Sequence, residues 1–363
     1  MSPTTGVLGE AWALYKAHWR HLLSISFVLA LAIAGSHPVA QSTGYAAKRP
    51  VFGGACPACP WGAMADIVKA AMKPHGWDVQ VCYYCAGGPR EARLVSAKAM
   101  ATPPQNPTAA ALPTPQGPID FGATSVELLQ YAYLGIHDFA KDPEGPRKQL
   151  RLVANIQTPS YFMVAVNVKS RIDDLRQIAE RKMPIKLVAR GGATEPINVA
   201  VLEHYGLSEE KIKAFGGTVA GGYTKGSDVD VIIGWGALTN APEYALWYQA
   251  TQEHDFKYLE LPADLRARLA NAFYLQVHEA PLLLRGVDRR IPTIVRDGTA
   301  VYGRTDMPDD FAYTLTKALD EQQELFHWSH MPFSYNPKTV WKAWDVPLHP
   351  GAARYYKERG YTK

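Results

Sequence analysis

The chain lacks several features that would assign it to common classes. There is no block of Lys and Arg: 38 basic residues stand against 34 acidic ones, for a formal charge of +4. Nothing therefore tracks a phosphate backbone, and nucleic acid is excluded as an expected partner. Beyond residue 34 every apolar run is short and broken by charge, Gly or Pro. No later segment reads as a membrane span, which needs roughly 20 apolar residues. There is no G-x-S-x-G, no H-E-x-x-H and no phosphate-binding P-loop, and His204, His254, His278, His327, His330 and His349 are scattered. No nucleophile-and-base arrangement is in view, so no catalytic residue is assigned and the chain is not expected to be an enzyme.

What is present suits a folded, exported protein. With 47% hydrophobic and 20% charged residues in 363, the chain can bury a large core and divide into two lobes. Near the start, Lys16 and Arg20 precede an apolar run from Leu22 to Ala34, followed by Gly35, Ser36, His37 and Pro38. That order predicts an export signal in residues 1–40, cut after Ala34 or after Ala40, with an uncleaved anchor as the alternative. The expected location is the periplasm.

Strand and helix signals alternate along the remainder. Residues 61–72 read as a helix, 77–84 as a strand, 126–134 as a helix, 150–156 and 161–166 as strands, 172–181 as a helix and 185–189 as a strand. A helix is expected over 195–204, a buried strand over 229–234, and an amphipathic helix over 309–326 that carries Phe311, Leu315, Ala318, Leu319, Gln322 and Leu325 on one face, with Pro308 just before it. Such alternation implies α/β lobes. Residues 101–118 carry Pro103, Pro104, Pro107, Pro113, Pro115 and Pro118 and read as an exposed insertion in the first lobe. The expected layout is a first α/β lobe over 45–155, a second over 156–280, and a return to the first over 281–363 with C-terminal helices.

Several local strings resemble the TAXI-type receptors of TRAP transporters. The closing segment Val346-Pro347-Leu348-His349-Pro350-Gly351-Ala352-Ala353-Arg354-Tyr355-Tyr356 is similar to that family's end, and Ile291-Pro292-Thr293 with Asp306-Met307-Pro308-Asp309 resembles its penultimate strand-helix unit. Upstream, Arg190-Gly191-Gly192-Ala193-Thr194-Glu195 resembles a Gly/Ser/Thr-rich turn entering a helix, and Asp228 to Pro242 a second-lobe strand and ligand loop. The resemblance implies a periplasmic-binding-protein-like fold of two lobes closing by a hinge on a small organic acid or amino acid. It also implies a TRAP-type permease as membrane partner.

The residues themselves give candidate contacts at the carboxyl ends of strands, where open α/β sheets bind ligands. Gly192, Ala193 and Thr194 expose backbone N–H groups and a hydroxyl at a helix start, and Arg190 supplies a clamp, a combination that favours a carboxylate. In the bland reading Thr194 caps the helix and Arg190 faces solvent. Trp235, Thr239 and Asn240 offer an aromatic wall, a hydroxyl and an amide; alternatively Trp235 is a core residue before a turn. Thr124, Ser125 and Glu127 hold the same place in the first lobe, where the resembling family commonly has Gln-Ser-Asp. Trp61 and Tyr84, beside the cysteine pairs, complete the set, with Tyr161 placed in the cleft or in the core.

The cysteines form Cys56-Pro57-Ala58-Cys59 and Cys82-Tyr83-Tyr84-Cys85. Three readings stand. An oxidising periplasm favours disulfides, including pairing between the motifs that would pin two cleft loops together. Four thiolates could hold zinc or another soft ion, the only cofactor the sequence suggests. Cys59, close to a helix start, could act in thiol-disulfide exchange. The last two define the alternative function, a metal-binding or redox protein on the same scaffold.

Overall fold

The computed structural model describes residues 44–54, 60–83, 85, 89–102, 112, 114–156, 160–237, 244–282, 284–296, 298–329, 331 and 334–363. The signal sequence and its cleavage sites, Cys56 and Cys59, Tyr84, Thr239 and Asn240, and most of the Pro-rich segment lie outside them.

Two mixed sheets form the framework. The first contains β1 (Val51–Gly53), β2 (Gln80–Cys82), β3 (Phe121–Ser125), β4 (Leu150–Ile156) and β12 (Thr299–Arg304), in the order β2-β1-β3-β12-β4. Strands β1, β2 and β3 are parallel, and β12 runs antiparallel between β3 and β4. The second contains β5 (Ser160–Asn167), β6 (Lys186–Ala189), β7 (Thr218–Ala220), β8 (Val231–Ala237), β9 (Phe256–Leu259), β10 (Gln276–Ala280) and β11 (Ile291–Arg296). Its order is β10-β11-β5-β8-β6-β7, with β9 also pairing β5. This is the two-lobed α/β architecture expected from the alternation of strands and helices.

The central strands of each sheet are covered by apolar side chains on both faces. In the first lobe, helix α1 (Pro60–Met72) lays Met64, Ile67, Val68 and Ala71 on one face, and α9 (Asp309–Glu321) brings Phe311, Leu315 and Leu319 into the same core. The expected single helix over 309–326 breaks after Glu321, and a short α10 (Glu324–Trp328) follows. Helix α2 (Pro89–Ala97) and α3 (Val126–Leu134) cover the opposite face with Val95, Val126 and Leu129. In the second lobe the core includes Phe162, Val164, Leu187, Val201, Ile233 and Trp235. Its helices are α4 (Arg176–Glu180), α5 (Pro196–His204), α6 (Glu209–Ala214), α7 (Ala245–Glu253) and α8 (Ala263–Phe273). The last helix, α11 (Pro350–Glu358), returns to the first lobe, where Tyr356 donates to the Val153 carbonyl at 3.0 Å.

The chain passes between the sheets twice, between Ile156 and Ser160 and between Arg296 and Thr299. The return to the first sheet therefore comes after Arg296 and not at 281. The reason is pairing: β10 pairs β11, and β11 pairs β5, so both belong to the second sheet. Residues Gly44–Lys363 form one compact unit. The Pro-rich segment departs and returns at one point, where the Ala101 amide donates to the Gly117 carbonyl at 3.0 Å. His349 is fully buried; its Nε2 donates to the Met307 carbonyl at 2.9 Å and its Nδ1 accepts from the Gly351 amide at 3.3 Å. It is a structural contact that starts α11. Among the described residues no helix is long and apolar enough to cross a membrane.

Candidate functional site

A cavity of about 400 Å³ is lined by residues of both lobes, among them Arg296, which ends β11 just before the return to the first sheet. The first lobe contributes Trp61, Ser125, Glu127 and Tyr131; the second contributes Glu195, Trp235, Phe273 and Arg296. The placement follows from the sheets. Strand β3 ends at Ser125 and β6 at Ala189, both with their carboxyl ends directed here, and the next residues turn into helices.

Two helix starts converge on the cavity, each bearing a carboxylate of its own chain. Ser125 occupies the position before α3 without making a side-chain cap, and Glu127 lies in the first helical turn. In the second lobe Glu195 precedes Pro196 at the start of α5. The turn before it uses Gly191 and Gly192 at φ of +84° and +98°. A Cβ at Gly191 would collide with the Glu195 carboxylate, so glycine there lets that carboxylate fold back over the turn. A negative group near a helix N-terminus is favoured by the aligned peptide dipoles.

Arg296, at the end of β11, joins these carboxylates. Its Nε is ion-paired with Glu127, its Nη2 lies 3.9 Å from Glu195, and its guanidinium sits 4.5 Å from the Trp235 ring centroid. One cation thus spans acidic groups of both lobes. Burial pushes the Glu195 carboxyl above its ordinary value, while the nearby Arg296 and Arg190 guanidiniums oppose that rise and Glu127 adds to it. Ser125 is 3% exposed, and its Oγ has no hydrogen-bond partner among the described residues.

A second connection between the lobes closes one side. Tyr131, on α3, donates to the Phe273 carbonyl at 2.7 Å. The His137 ring lies 4.3 Å from that of Tyr131 and stacks 5.9 Å from that of Phe273.

Of the residues singled out from sequence, Trp61, Ser125, Glu127 and Trp235 line the cavity. The others that are described do not. Arg190 is buried, with its guanidinium 4.7 Å from the Tyr244 ring centroid. Thr194 is exposed and caps nothing, since Glu195 holds the cap position. Ala193 packs in the second-lobe core, and Gly192 shapes the turn. Thr124 is fully buried in β3, and Tyr161 is half-buried with its ring 6.5 Å from that of His278. Trp235 is both core and wall: β8 runs on through it to Ala237 instead of ending at Gly234. Sequence reasoning missed Arg296, Glu195, Tyr131 and Phe273. The available signal was a charged Arg296-Asp297-Gly298 step between two apolar strands.

Cys82 and Cys85 form a disulfide with each other, with Cα atoms 5.5 Å apart. That bond uses both sulfurs of the second pair, so neither pairing between the motifs nor a set of four thiolates is formed in this oxidised state. Among the described residues no group of three or more His, Cys, Asp or Glu side chains is placed to hold a metal ion.

Among solved structures, iron-bound HitA from Pseudomonas aeruginosa is 13% identical, with 87% of this chain and 99% of that one covered and a TM-score of 0.39. The binding-protein component of an ABC phosphonate transporter from the same organism is 12% identical, with 78% and 80% covered and a TM-score of 0.38. A histidine-bound substrate-binding protein of an ABC uptake transporter from Streptococcus pneumoniae is 9% identical, with 78% and 91% covered and a TM-score of 0.34. The model of the NMT1-like family matches residues 94–360, more than half of the chain, and the chain belongs to that family.

Proposed function

We propose that the protein is an extracytoplasmic solute-binding receptor that captures a small organic molecule between its lobes and presents it to a membrane permease. The observation that carries this reading is the cavity: about 400 Å³, walled by residues of both lobes. That volume suits a small molecule, and aromatic walls with a few polar groups suit binding. An open form admits the solute; contacts from both lobes then favour closure, and the closed surface is what the permease reads.

The strings similar to TAXI-type receptors support a TRAP-type permease, a periplasmic location and an organic acid or amino acid as ligand. Ser125 is the lining's one aliphatic hydroxyl, and its Oγ has no base within hydrogen-bonding reach among the described residues. Of the basic groups considered, Arg296 lines the cavity and Arg190 does not.

A melting-temperature screen of the purified, oxidised protein against amino acids, dicarboxylates, amines and metal ions tests this, because a ligand that binds only the folded state raises the midpoint. The expected result is a clear rise with one organic solute, recovered unchanged. No rise with any organic solute, or conversion of the solute to product, overturns the reading.

A further inference from the structure

We propose that the solute is an organic cation, a molecule bearing an ammonium group with net positive charge, in place of the carboxylate to which the sequence pointed. The inference rests on the receptor reading above and names its ligand class.

The charge balance of the wall carries it. Arg296 is the only Lys or Arg side chain in the described lining, against Glu127, Glu195 and Asp138. Its guanidinium is already engaged, ion-paired with Glu127, near Glu195 and stacked on Trp235. The two helix starts are not open to an anion either, because Glu127 and Glu195 stand at them. An incoming carboxylate would add charge of the sign already in excess among the lining side chains, where like charges repel. An ammonium would reduce the excess.

Independent features point to the same occupant. The Ser125 Oγ is nine-tenths buried, lines the cavity and lacks a hydrogen-bond partner, so it can accept an N–H. Trp61, Tyr131 and Phe273 supply aromatic surfaces that attract cations through the ring quadrupole. Glu195 is pushed toward its protonated form by burial, and a neighbouring ammonium is the counter-charge that would return it to the carboxylate. His137, at the wall, and Arg190, behind it, are the remaining ionisable groups near these carboxylates.

Calorimetric titration of the purified protein with matched four-carbon probes, 1,4-diaminobutane, 4-aminobutanoate and butanedioate, together with choline, tests the proposal. One or both of the cations are expected to bind, with butanedioate at least tenfold weaker. Glu195→Gln is expected to weaken the bound cation at least tenfold, and Asp138→Asn, at an exposed position that does not threaten folding, to weaken it about threefold. A preference for butanedioate or 4-aminobutanoate over both cations overturns the charge assignment and leaves the receptor intact, as does cation binding unmoved by both variants. If no probe binds, and none of the solutes in the melting screen does either, the receptor reading itself has failed.

Discussion

The Tyr131 hydroxyl donates to the Phe273 carbonyl across the cleft at 2.7 Å, joining residues 142 positions apart in the chain. One partner ends α8 of the second lobe; the other lies on α3 of the first. The hydroxyl is largely removed from water, which raises its pKa above the ordinary tyrosine value and keeps it a donor. A bond of this kind contributes about 0.5–1.5 kcal/mol net. Tyr131→Phe keeps the ring contacts and removes only the donor. Urea unfolding is expected to lose about 1 kcal/mol, and affinity for the solute found by screening to fall about fivefold. Unchanged affinity with unchanged stability would show that this bond does not hold the lobes together.

Gly234 sits inside β8 at φ +139°, and a Cβ there would lie 2.6 Å from the Arg190 Cβ. Both reasons restrict the position to glycine. Gly234→Ala is expected to destabilise the protein by about 1–3 kcal/mol, measured as a lower unfolding midpoint. Arg190 would be displaced with it.

Legibility in the sequence tracked how local each cause was. The α3 helix was read at its true bounds because a glycine, Gly135, stops it at φ +69° and apolar periodicity marks its face. Ser125, Glu127 and Trp235 could be found because strand ends point to a cleft in any such sheet. Arg296 could not. Its role depends on β11 joining the second sheet through antiparallel pairing with β5, more than 120 positions away, and neither periodicity nor composition reports that pairing. Arg190 is the converse case. It has the right local setting, but its guanidinium lies 4.7 Å from the Tyr244 ring centroid and it is not part of the cavity lining.

The Cys82–Cys85 bridge closes a loop of four residues at the end of β2, and the Cys82 carbonyl accepts from the Gly54 amide at 3.0 Å. Peptide mapping without reductant is expected to recover these two cysteines linked to each other. A loop this short limits the unfolded chain only modestly, so replacing both cysteines by serine is expected to lower stability by about 2 kcal/mol at most. Recovery of either one linked to Cys56 or Cys59 would restore the pairing between motifs.

Glu91 gives the protein a pH dependence whose sign can be worked out. Its carboxylate is fully buried beside Gly122, its side-chain oxygens have no side-chain hydrogen-bond partner, and burial raises its pKa well above the ordinary value, opposed in part by the Ala123 backbone. At acid pH both folded and unfolded chains carry the proton. As pH rises past the ordinary glutamate value, the unfolded chain releases its proton while the folded one keeps it. Over that window the folded state binds more protons, so stability falls with rising pH, by up to about 1.4 kcal/mol per unit, and levels off only above the raised folded value. Glu91→Gln keeps the shape and removes the titration. Its unfolding free energy, measured from pH 5 to pH 8, is expected to decline less steeply than that of the unaltered protein. Parallel profiles would mean that Glu91 ionises alike in both states, which its burial without a counter-charge argues against.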